Sequence, residues 1–341
     1  MKMTLEQVAK YAQVSRGTVD RVVNRRGNVK PAVRERVEQA LKDLNYQPNK
    51  IASALAYSKY EKKVCIIFQK YEVLSSDQKV AEGIRDAQNE LKDFGISVET
   101  VICDDMNSKK FVEKIDEMVA DGMNGFVVRG PDVPEMIEKI NDLKRYGIPV
   151  VTFNSDIPKS QRVCFIGQDL YQSGRIAGNI MAKLIRPGEK IIISCGVPQY
   201  DAHHKRVDGF VYELKRRGVE EEQWIILRAE AKYDVMYEQF KRIFSEEENI
   251  RGIYISVEPN AACRDYLRSE RLDTYPYVIC HDATVESISY LKEGFFDFII
   301  DQNMYMQSYR ALLILKDILL NQKINQEVAS DIKIYNAACF E

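Results

Sequence analysis

The chain has 341 residues, 45% of them hydrophobic, and a formal net charge of −2. This length and composition exclude both a single small domain and a disordered chain. No run of about 18 apolar residues occurs and the first residues form no secretory signal, so we expect a cytoplasmic protein that does not cross a membrane. The seven cysteines are scattered and include no C-x-x-C pair, which argues against a disulfide framework or a zinc ribbon.

Positive charge is concentrated at the start of the chain. Residues 1–63 contain 14 lysines and arginines against 6 aspartates and glutamates, so the remaining residues carry a net charge of −10. Phosphate groups are bound mostly by Lys and Arg, and a basic head on an acidic bulk therefore indicates nucleic-acid binding. On charge alone, a solvated basic surface is an equal alternative.

The basic segment predicts three short helices. The i, i+3, i+4, i+7 spacing of one buried helix face is formed by Leu5, Val8, Ala9 and Ala12. A second helix follows Ser15, its expected N-cap. Its polar side consists of Arg16, Gly17, Asp20, Arg21 and Asn24, and its opposite side of Val14, Thr18, Val19, Val22 and Val23. The third helix begins at Pro31, and its apolar stripe consists of Val33, Val37, Ala40, Leu41 and Leu44.

The first two helices are separated only by Gln13, Val14 and Ser15. This arrangement matches a helix-turn-helix unit, whose second helix presents its polar side to the major groove of DNA. Arg16, near the helix start, is the best candidate for a bidentate contact to guanine, whereas Arg21 could equally hold a phosphate. The alternative is a three-helix packing module that binds no DNA.

The stretches TLEQVAKYAQVSRGTVDRVVN, RERVEQALKDLNYQPN and IASALA resemble the DNA-binding head of the lactose-repressor (LacI) family of bacterial transcription regulators. The resemblance implies DNA contacts from Thr4, Ser15, Arg16, Gly17, Thr18, Asp20, Arg21 and Asn24. This chain departs from the family pattern because Gly17 has no side chain to read a base, Asp20 stands where serine is usual and Gln13 replaces the turn glycine. The carboxylate of Asp20 is unfavourable beside phosphates unless it bonds a neighbouring arginine or accepts from cytosine.

The stretch NKIASALA, which follows Pro48, resembles the hinge helix of the same family. The resemblance implies that Leu55 is wedged into the minor groove at the centre of the operator and that Ala52 packs against its counterpart in a second copy. It further implies that Asn49 contacts the DNA backbone or groove. The alternative is a plain linker between two domains.

From Lys63 onward, apolar strands alternate with amphipathic helices. The strand segments are KVCIIF, ISVETVI, GFVV and IPVVTF, and then EKIIIS, WIILR, IRGIYIS, YPYVIC and FIID. The pattern predicts an α/β fold with two lobes, each a doubly wound parallel sheet. Ligands of such sheets bind at the carboxyl ends of strands. The candidate effector-binding residues taken from these positions are Tyr71, Asn154, Asp156, His204, Asn260, Asp282 and Gln302.

The segments IPVVTFNSDIP, FIGQDLYQSGRIAG and VICHDATVESISYLKEGFFDFIIDQN are similar to the periplasmic sugar-binding-protein fold that LacI-family regulators use as an effector sensor. The resemblance places Asn154 and Asp156 among the ligand-binding polar residues. It matches Asp282 to a hydroxyl-binding aspartate and Gln302 to a ligand-binding glutamine. Carboxylates and amides suit a polyol, because each can bond two vicinal hydroxyls.

Three further residues follow from the same resemblance. Tyr71 would offer an aromatic face to a sugar ring. His204 stands where sugar-binding relatives commonly have arginine, which leaves the identity of the ligand open. Arg206 matches a second arginine of the family, which we expect to be structural.

Several of these residues have a purely structural alternative. Asp282 could only cap the helix that follows it, and Asn154 and Asp156 could form an Asx turn. We expect no metal site, because the spacing of Asp201, His203, His204 and His281 fits no metal-binding motif. Dinucleotide, P-loop and nucleophile-elbow motifs are absent from the sequence, so we expect neither an enzyme nor a cofactor.

The predicted domains are a helix-turn-helix head at 1–48, a hinge helix and linker at 49–60, and an effector-binding and dimerisation domain at 61–341. Its lobes are expected at about 61–160 plus 284–321 and at 161–283 plus 322–341. We predict a homodimeric or tetrameric transcription regulator, most simply a repressor, that binds double-stranded operator DNA and a sugar- or polyol-like effector. The alternatives are a solute-binding receptor of a transport system without DNA binding, and a sensor or activator for a non-sugar metabolite.

Overall fold

A computed structural model of the chain describes residues 3–23, 29–44, 61–69, 76–103, 107–196, 201–228, 232–257, 259–270, 272, 274–322, 324–325 and 327–340. The predicted contacts that lie outside these residues are Asn24, Asn49, Ala52, Leu55 and Tyr71. In the described part of the chain, no helix is long and apolar enough to cross a membrane.

The head consists of α1 (Leu5–Tyr11), α2 (Arg16–Val23) and α3 (Pro31–Asp43), which confirms the three predicted helices. Thr4 and Gln7 cap α1 reciprocally: Gln7 N–H donates to Thr4 Oγ1 at 3.3 Å, and Thr4 N–H donates to Gln7 Oε1 at 2.8 Å. The buried core is formed by Val8, Ala9, Ala12, Val19, Val22, Val37 and Ala40. This core fixes the valine side of α2 against its two neighbours, so the polar side of α2 faces outward.

The first lobe is built on β1 (Lys62–Gln69), β2 (Ile96–Cys103), β3 (Gly125–Arg129), β4 (Val150–Phe153), β5 (Cys164–Gln168) and β11 (Glu327–Ser330). These strands form a parallel sheet in the order β11-β5-β4-β3-β1-β2. One face is covered by α4 (Ser76–Lys92) and α12 (Met304–Leu319), and the other by α5 (Ser108–Ala120) and α6 (Pro134–Arg145). Because both faces are buried, β1 is apolar at successive positions.

The second lobe is built on β6 (Lys190–Cys195), β7 (Trp224–Arg228), β8 (Ile250–Ile255), β9 (Tyr277–His281), β10 (Phe298–Asp301) and β12 (Lys333–Tyr335). The order is β12-β10-β9-β8-β6-β7, and β12 joins it antiparallel to β10. One face packs on α7 (Leu170–Leu184) and α8 (Asp201–Arg216). The other packs on α9 (Tyr233–Glu246), α10 (Asn260–Ser269) and α11 (Val285–Lys292). Short 3-10 turns lie at Glu221–Gln223 and Ala337–Phe340.

The chain passes between the two sheets after β5, after β10 and after β11. This connectivity differs from the expected lobe division, because β5 and β11 belong to the first sheet and α11 and β10 to the second lobe. The parallel neighbours β4 and β5, with Val151 opposite Cys164, are joined by residues 154–163 without a helix. A parallel connection normally contains a helix, and its absence removes the sequence pattern that would have marked it. The division into head, hinge and effector domain stays a prediction.

Candidate functional site

The polar side of α2 is presented to solvent. Arg16, Gly17 and Arg21 are exposed, while Val19 and Val22 on the opposite side are buried. The guanidinium of Arg16 lies 3.9 Å from the Glu6 carboxylate, with the two side chains 67% and 76% exposed. An ion pair this long and exposed is weak, so Arg16 can exchange it for a DNA contact at little cost.

The start of α2 is fixed by Ser15. The N–H of Thr18 donates to Ser15 Oγ at 3.1 Å, and the hydroxyls of Ser15 and Thr18 are 2.9 Å apart. Ser15 therefore caps the helix, in agreement with the sequence pattern. The hydroxyls of Ser15 and Thr18 bond each other, whereas the exposed side chains of Arg16 and Arg21 take no part in this bond.

Gly17 and Gln13 depart from the family pattern in different structural settings. A Cβ built on Gly17 meets only Ser15 Oγ, at 3.9 Å, so packing within the head does not require glycine there. Gln13, in contrast, has a φ of 52°. It ends α1 in a Schellman motif, in which Val14 N–H donates to Ala9 O at 3.0 Å and Gln13 N–H donates to Lys10 O at 3.4 Å. Glycine would adopt this left-handed conformation without strain.

Three residues at the strand ends between the lobes share an unusual backbone conformation. Asn154 follows β4, Asp282 follows β9 and Asn303 follows β10, and their φ angles are 64°, 71° and 58°. Non-glycine residues with positive φ are uncommon and concentrate where surrounding structure holds them for function. Three such residues lie around Gln302, which makes this part of the cleft a candidate site.

A hydrogen-bonded chain joins three of the predicted effector residues. Asn154 Nδ2 donates to Gln302 Oε1 at 2.8 Å, and Gln302 Nε2 donates to Asp282 Oδ1 at 2.7 Å. The Gln302 carbonyl oxygen accepts from Gln307 Nε2 and from Ser330 Oγ, both at 2.8 Å. This hydrogen-bonded chain therefore links the first lobe, through the connection after β10, to the second lobe.

Asp156 is bound by Arg162, a pairing that the sequence pattern did not predict. Arg162 Nε donates to its Oδ1 and Arg162 Nη2 to its Oδ2, each at 2.5 Å. Thr152 Oγ1 and Ile157 N–H also donate to Oδ1, both at 2.8 Å. A carboxylate with four donors has little capacity left for a ligand, so these bonds favour a role of Asp156 in holding the loop between β4 and β5, while its contact with an effector stays a prediction.

The second lobe contributes a buried polar group at the start of α10. Asn260 is 5% exposed, and its Nδ2 donates to the His281 carbonyl oxygen at 3.4 Å. Its Oδ1 has no hydrogen-bond partner among the described residues. A buried acceptor without a partner is costly, and a ligand hydroxyl in the cleft would satisfy it.

Arg206 on α8 is buried near Asp282. Its Nη1 donates to the Ser256 carbonyl oxygen at 2.8 Å, and its Nε has no partner among the described residues. Burial raises the pKa of Asp282, and the charge of Arg206 opposes this effect. Burial and the charge of Arg206 both lower the pKa of His281, whose Nε2 lies 2.8 Å from the Tyr254 hydroxyl. Arg206 therefore holds the Ser256 backbone and also places a positive charge near Asp282 and His281.

Arg129, at the end of β3, is absent from the effector-binding candidates selected from the sequence. It is 3% exposed, and its Nη2 donates to the Gln69 carbonyl oxygen at 3.0 Å and to Asp77 Oδ1 at 2.7 Å. Its Cζ lies 5.0 Å from the centroid of the Phe68 ring. Its Nε has no partner among the described residues. The signal was available, because Arg129 directly follows the apolar strand segment GFVV, the same criterion that selected Asn154.

His204 is not brought into this group. It lies on α8 two residues before Arg206 and is half-buried. Helix residues at i and i+2 point to different sides, so His204 does not face the buried polar group that Arg206 joins. Among the described residues, no group of His, Cys, Asp and Glu side chains is arranged to hold a metal ion.

The cleft continues beside the connection after β10. A cavity of about 310 Å³ is lined by both lobes, with Asp282 and Thr284 on one side and Lys79, Glu82 and Tyr305 on the other. Lys79 Nζ lies 3.0 Å from Glu82 Oε2, so the lysine charge in this wall is already paired. The cavity shares Asp282 with the hydrogen-bonded chain.

Comparison with known families identifies both parts of the chain. The model for bacterial regulatory proteins of the lacI family matches residues 4–49. The model for the periplasmic binding protein domain matches residues 75–323. The chain therefore belongs to the periplasmic binding protein domain family and carries a LacI-family helix-turn-helix region in its head. The first match covers the three helices of the head, and the second extends from the connection before α4 to the end of α12.

Two curated relatives share the name catabolite control protein A. The chain is 28% identical over 263 residues to the protein from Priestia megaterium, and the match covers 76% of each chain. It is 30% identical over 177 residues to the protein from Staphylococcus epidermidis, which covers 52% of this chain and 51% of the other. The chain is thus similar in sequence to proteins that are named as control proteins.

Solved structures share the fold of the effector domain. They include GanP, a glucose-galactose binding protein from Geobacillus stearothermophilus, with a TM-score of 0.72, 20% identity and coverage of 82% of this chain and 99% of the other. A chain described as a LacI transcriptional regulator from Bacteroides fragilis has a TM-score of 0.72, 20% identity and coverage of 82% and 98%. At these identities the likeness shows a common fold.

Proposed function

We propose that this LacI-family regulator represses transcription as a homodimer on a near-palindromic operator, and that a sugar- or polyol-like effector bound between the lobes controls its affinity for DNA. The observation that carries the proposal is the hydrogen-bonded chain from Asn154 through Gln302 to Asp282. A ligand that bonds these groups interacts with both lobes at once.

The buried polar groups around this chain favour a polyhydroxy ligand. Asn260 offers an acceptor, while Arg129 and Arg206 each offer a donor that has no partner among the described residues. Vicinal hydroxyls both donate and accept, so one sugar ring can satisfy groups of both kinds. The fold likeness to a glucose-galactose binding protein supports the same class of ligand.

On the DNA side, Arg16 is proposed to read guanine, with Arg21 bonding a base or a phosphate. Thr4, Ser15, Thr18 and Asp20 are proposed to position α2 on the duplex, and Gly17 to let the helix backbone approach it. One recognition helix covers only a few base pairs, so two heads on a twofold operator are proposed. Light scattering of the full chain should then give a dimer or tetramer mass.

Effector control requires that the ligand binds one arrangement of the lobes more tightly than the other. To change a 1:99 ratio of two states into 99:1 needs a preference of about 5.5 kcal/mol. The hydrogen bonds that link Asn154, Gln302 and Asp282 could supply this preference, because their lengths depend on the separation of the lobes.

The test is a thermal-shift screen of the full chain against neutral sugars, polyols and sugar phosphates. A ligand that binds the folded state raises the melting temperature. At a ligand concentration of 100 Kd, it stabilises the folded state by about 2.7 kcal/mol. Operator binding is then measured with and without each hit. Failure of every sugar and polyol to shift the melting temperature contradicts the effector class.

A pair of variants locates the ligand. Asp282→Asn should lose the thermal shift and retain operator affinity. Asp297→Asn is the matched control, because Asp297 is a half-buried carboxylate of the same lobe whose Oδ2 accepts from Val278 N–H at 2.8 Å, outside the group of cleft residues. A shift that persists in Asp282→Asn places the ligand elsewhere.

A further inference from the structure

The outer face of the second lobe has a charge opposite to that of its domain. The helices α7 and α8 with the following Arg217 contain seven lysines and arginines against three aspartates and glutamates. Residues 64–341 as a whole carry −10. Apart from the buried Arg206, these cations lie outside the head and the group of cleft residues, and most of their side chains are exposed.

Three arginines on this face surround one carboxylate. Glu213, with its side chain 3% exposed, lies 3.2 Å from Arg175 Nη2, 3.6 Å from Arg216 Nε and 3.2 Å from Arg217 Nε. We call Arg175, Arg216 and Arg217 the arginine cluster. One negative charge balances only one of its three positive charges.

The arginine cluster is open to solvent. The side chains of Arg175, Arg216 and Arg217 are 32%, 49% and 41% exposed. Arg216 and Arg217 contact Glu213 through Nε, which leaves their two-pronged terminal nitrogens available for another oxyanion. Carboxylate groups fit this fork in a bidentate manner.

Two exposed tyrosines lie beside the arginine cluster. The ring centroids of Tyr171 and Tyr212 are 5.9 Å apart, and Arg175 Cζ lies 5.4 Å from the Tyr212 centroid. Tyrosine and arginine are enriched at the centres of protein interfaces. The tyrosines add apolar area that an isolated inorganic anion would leave unused.

The platform that carries these side chains is rigid. A Cβ on Gly174 would lie 1.9 Å from the Arg206 carbonyl oxygen, and a Cβ on Gly209 would lie 2.0 Å from the Tyr171 carbonyl oxygen. The two helix backbones are therefore in direct contact, and only glycine permits this approach. A rigid surface loses little conformational entropy when a partner binds.

We propose that the face formed by α7 and α8 docks an acidic protein segment, whose carboxylates pair with the arginine cluster and whose apolar atoms cover Tyr171 and Tyr212. Charge complementarity selects this partner, because the single carboxylate of Glu213 leaves the three partly exposed guanidinium groups with an excess of positive charge. The arginine cluster shares no residue with the polar side of α2 or with the hydrogen-bonded chain of the cleft. The face therefore adds a partner-dependent input to the proposed DNA and effector binding.

The test uses the full chain and labelled poly-L-glutamate as the probe, followed by fluorescence anisotropy. The Arg216→Ala/Arg217→Ala variant should bind the probe at least about tenfold more weakly than the unsubstituted chain, since a pair of lost charge contacts corresponds to 1.4 kcal/mol or more. The matched control is Arg145→Ala/Arg242→Ala, which removes the same charge from exposed ion pairs with Asp142 and Glu246. It should change binding by less than about twofold.

Both double variants leave the basic head unchanged, so the probe contacts the head equally in both. The difference between their affinities for the probe therefore reports on the arginine cluster. The effector-induced shift should be the same in both, whereas the melting temperature should fall more in the first variant, because the buried Glu213 keeps only Arg175 and Asn179 as partners. If the alanine pair fails to fold, Arg216→Gln/Arg217→Gln replaces it, because glutamine keeps a donor for Glu213 without the charge.

Carbodiimide cross-linking with mass spectrometry locates the probe, because it joins carboxylates to lysine amines. We expect cross-links at the exposed Lys183, Lys205 and Lys215, which belong to the same two helices. Cross-links confined to lysines of the head, or equal weakening in both double variants, would overturn the proposal. Displacement of the probe by inorganic phosphate, but not by equal ionic strength of chloride, would also overturn it by identifying a simple anion site.

Discussion

The head and the cleft between the lobes hold their polar residues in opposite ways. On the head, Arg16 is 67% exposed, and its ion pair with Glu6 has a length of 3.9 Å. In the cleft, Gln302 is 4% exposed and bonds Asn154 and Asp282, which lie far from it in the sequence. Substitutions on the polar side of α2 should therefore have little effect on folding, whereas substitutions of the cleft residues should alter stability together with the proposed effector binding.

The largest expected effect tests which polar residues near the cleft are structural. Arg162→Ala leaves the buried carboxylate of Asp156 without its cation and should lower the free energy of unfolding by about 3–5 kcal/mol. Urea denaturation measures this change. Arg145→Ala, which breaks the exposed pair with Asp142, should cost less than about 0.5 kcal/mol. Similar losses in the two variants would contradict the structural role of Arg162.

The second prediction tests the dual role of a cleft residue. Gln302→Ala removes partners from the buried Asn154 and Asp282, so it should cost about 1–3 kcal/mol of stability and also abolish the effector-induced thermal shift. Denaturation and thermal-shift measurements give the two readouts. The control is Gln239→Ala, whose Nε2 donates to the Arg228 carbonyl oxygen at an exposed position. Loss of stability with an intact ligand response would separate the two roles.

The third prediction concerns the head, where binding and stability should separate. Arg16→Ala should weaken cognate operator binding by about 1–3 kcal/mol and relax the preference at one base position. The melting temperature should not change, because the side chain is exposed. Binding to a library of operator variants measures both affinity and preference. Arg36→Ala on α3 is the control; uniform weakening across all sequences would make Arg16 a phosphate contact instead.

The fourth prediction uses pH to probe the buried group beneath the cleft. Burial and Arg206 hold the pKa of His281 well below its usual value, so the ring stays neutral in the folded state while the unfolded chain binds a proton below about pH 6.5. This contribution is complete above that pH and is lost on acidification, by at most about 1.4 kcal/mol per pH unit. The raised pKa of Asp282 acts in the opposite direction at lower pH.

Unfolding free energies measured from pH 7 downward should therefore fall more steeply for the unsubstituted chain than for His281→Gln. Glutamine retains a polar partner for the Tyr254 hydroxyl and removes the titrating group. Equal slopes for the two proteins would exclude His281 as the source of the pH dependence.

The smallest expected effect is a gain of stability in the head. Gln13→Gly removes the strain of a left-handed conformation and should stabilise the head by about 1 kcal/mol. Differential scanning calorimetry measures the change, and DNA affinity should stay the same. Gln13→Ala keeps the Cβ and should give no gain, so an equal effect of both substitutions would contradict the strain.

Sequence patterns predict the head more completely than the cleft. The three helices, the Ser15 cap and the buried valines of α2 follow from spacings within a few residues. The strand-end rule selected Asn154, Asp282 and Gln302, which the structure joins. That rule could not show that Asp156 is bound by Arg162, because the pairing depends on how the loop between β4 and β5 folds back. Nor did it recover Arg129, although the residue met the same criterion.

The lobe division shows the same limit at a larger scale. A strand's own sequence does not state which sheet it joins, and β5 pairs with β4 without an intervening helix. Likewise β11 and β12 are neighbours in the sequence but extend different sheets. Pairing of distant segments is decided by burial against the whole lobe, which local periodicity does not contain.

The position of β11 and β12 has a consequence for the order in which the protein matures during translation. The first sheet has its full set of described strands only when Ser330 has left the ribosome, and the second only when Tyr335 has, because Glu327–Ser330 extends one sheet and Lys333–Tyr335 the other. The core of the head, in contrast, is complete at Ala40. Domains near the N-terminus fold first during synthesis. A nascent chain thus acquires its DNA-reading helix long before its sensor, and a prematurely terminated chain would keep the head while losing the means to regulate it.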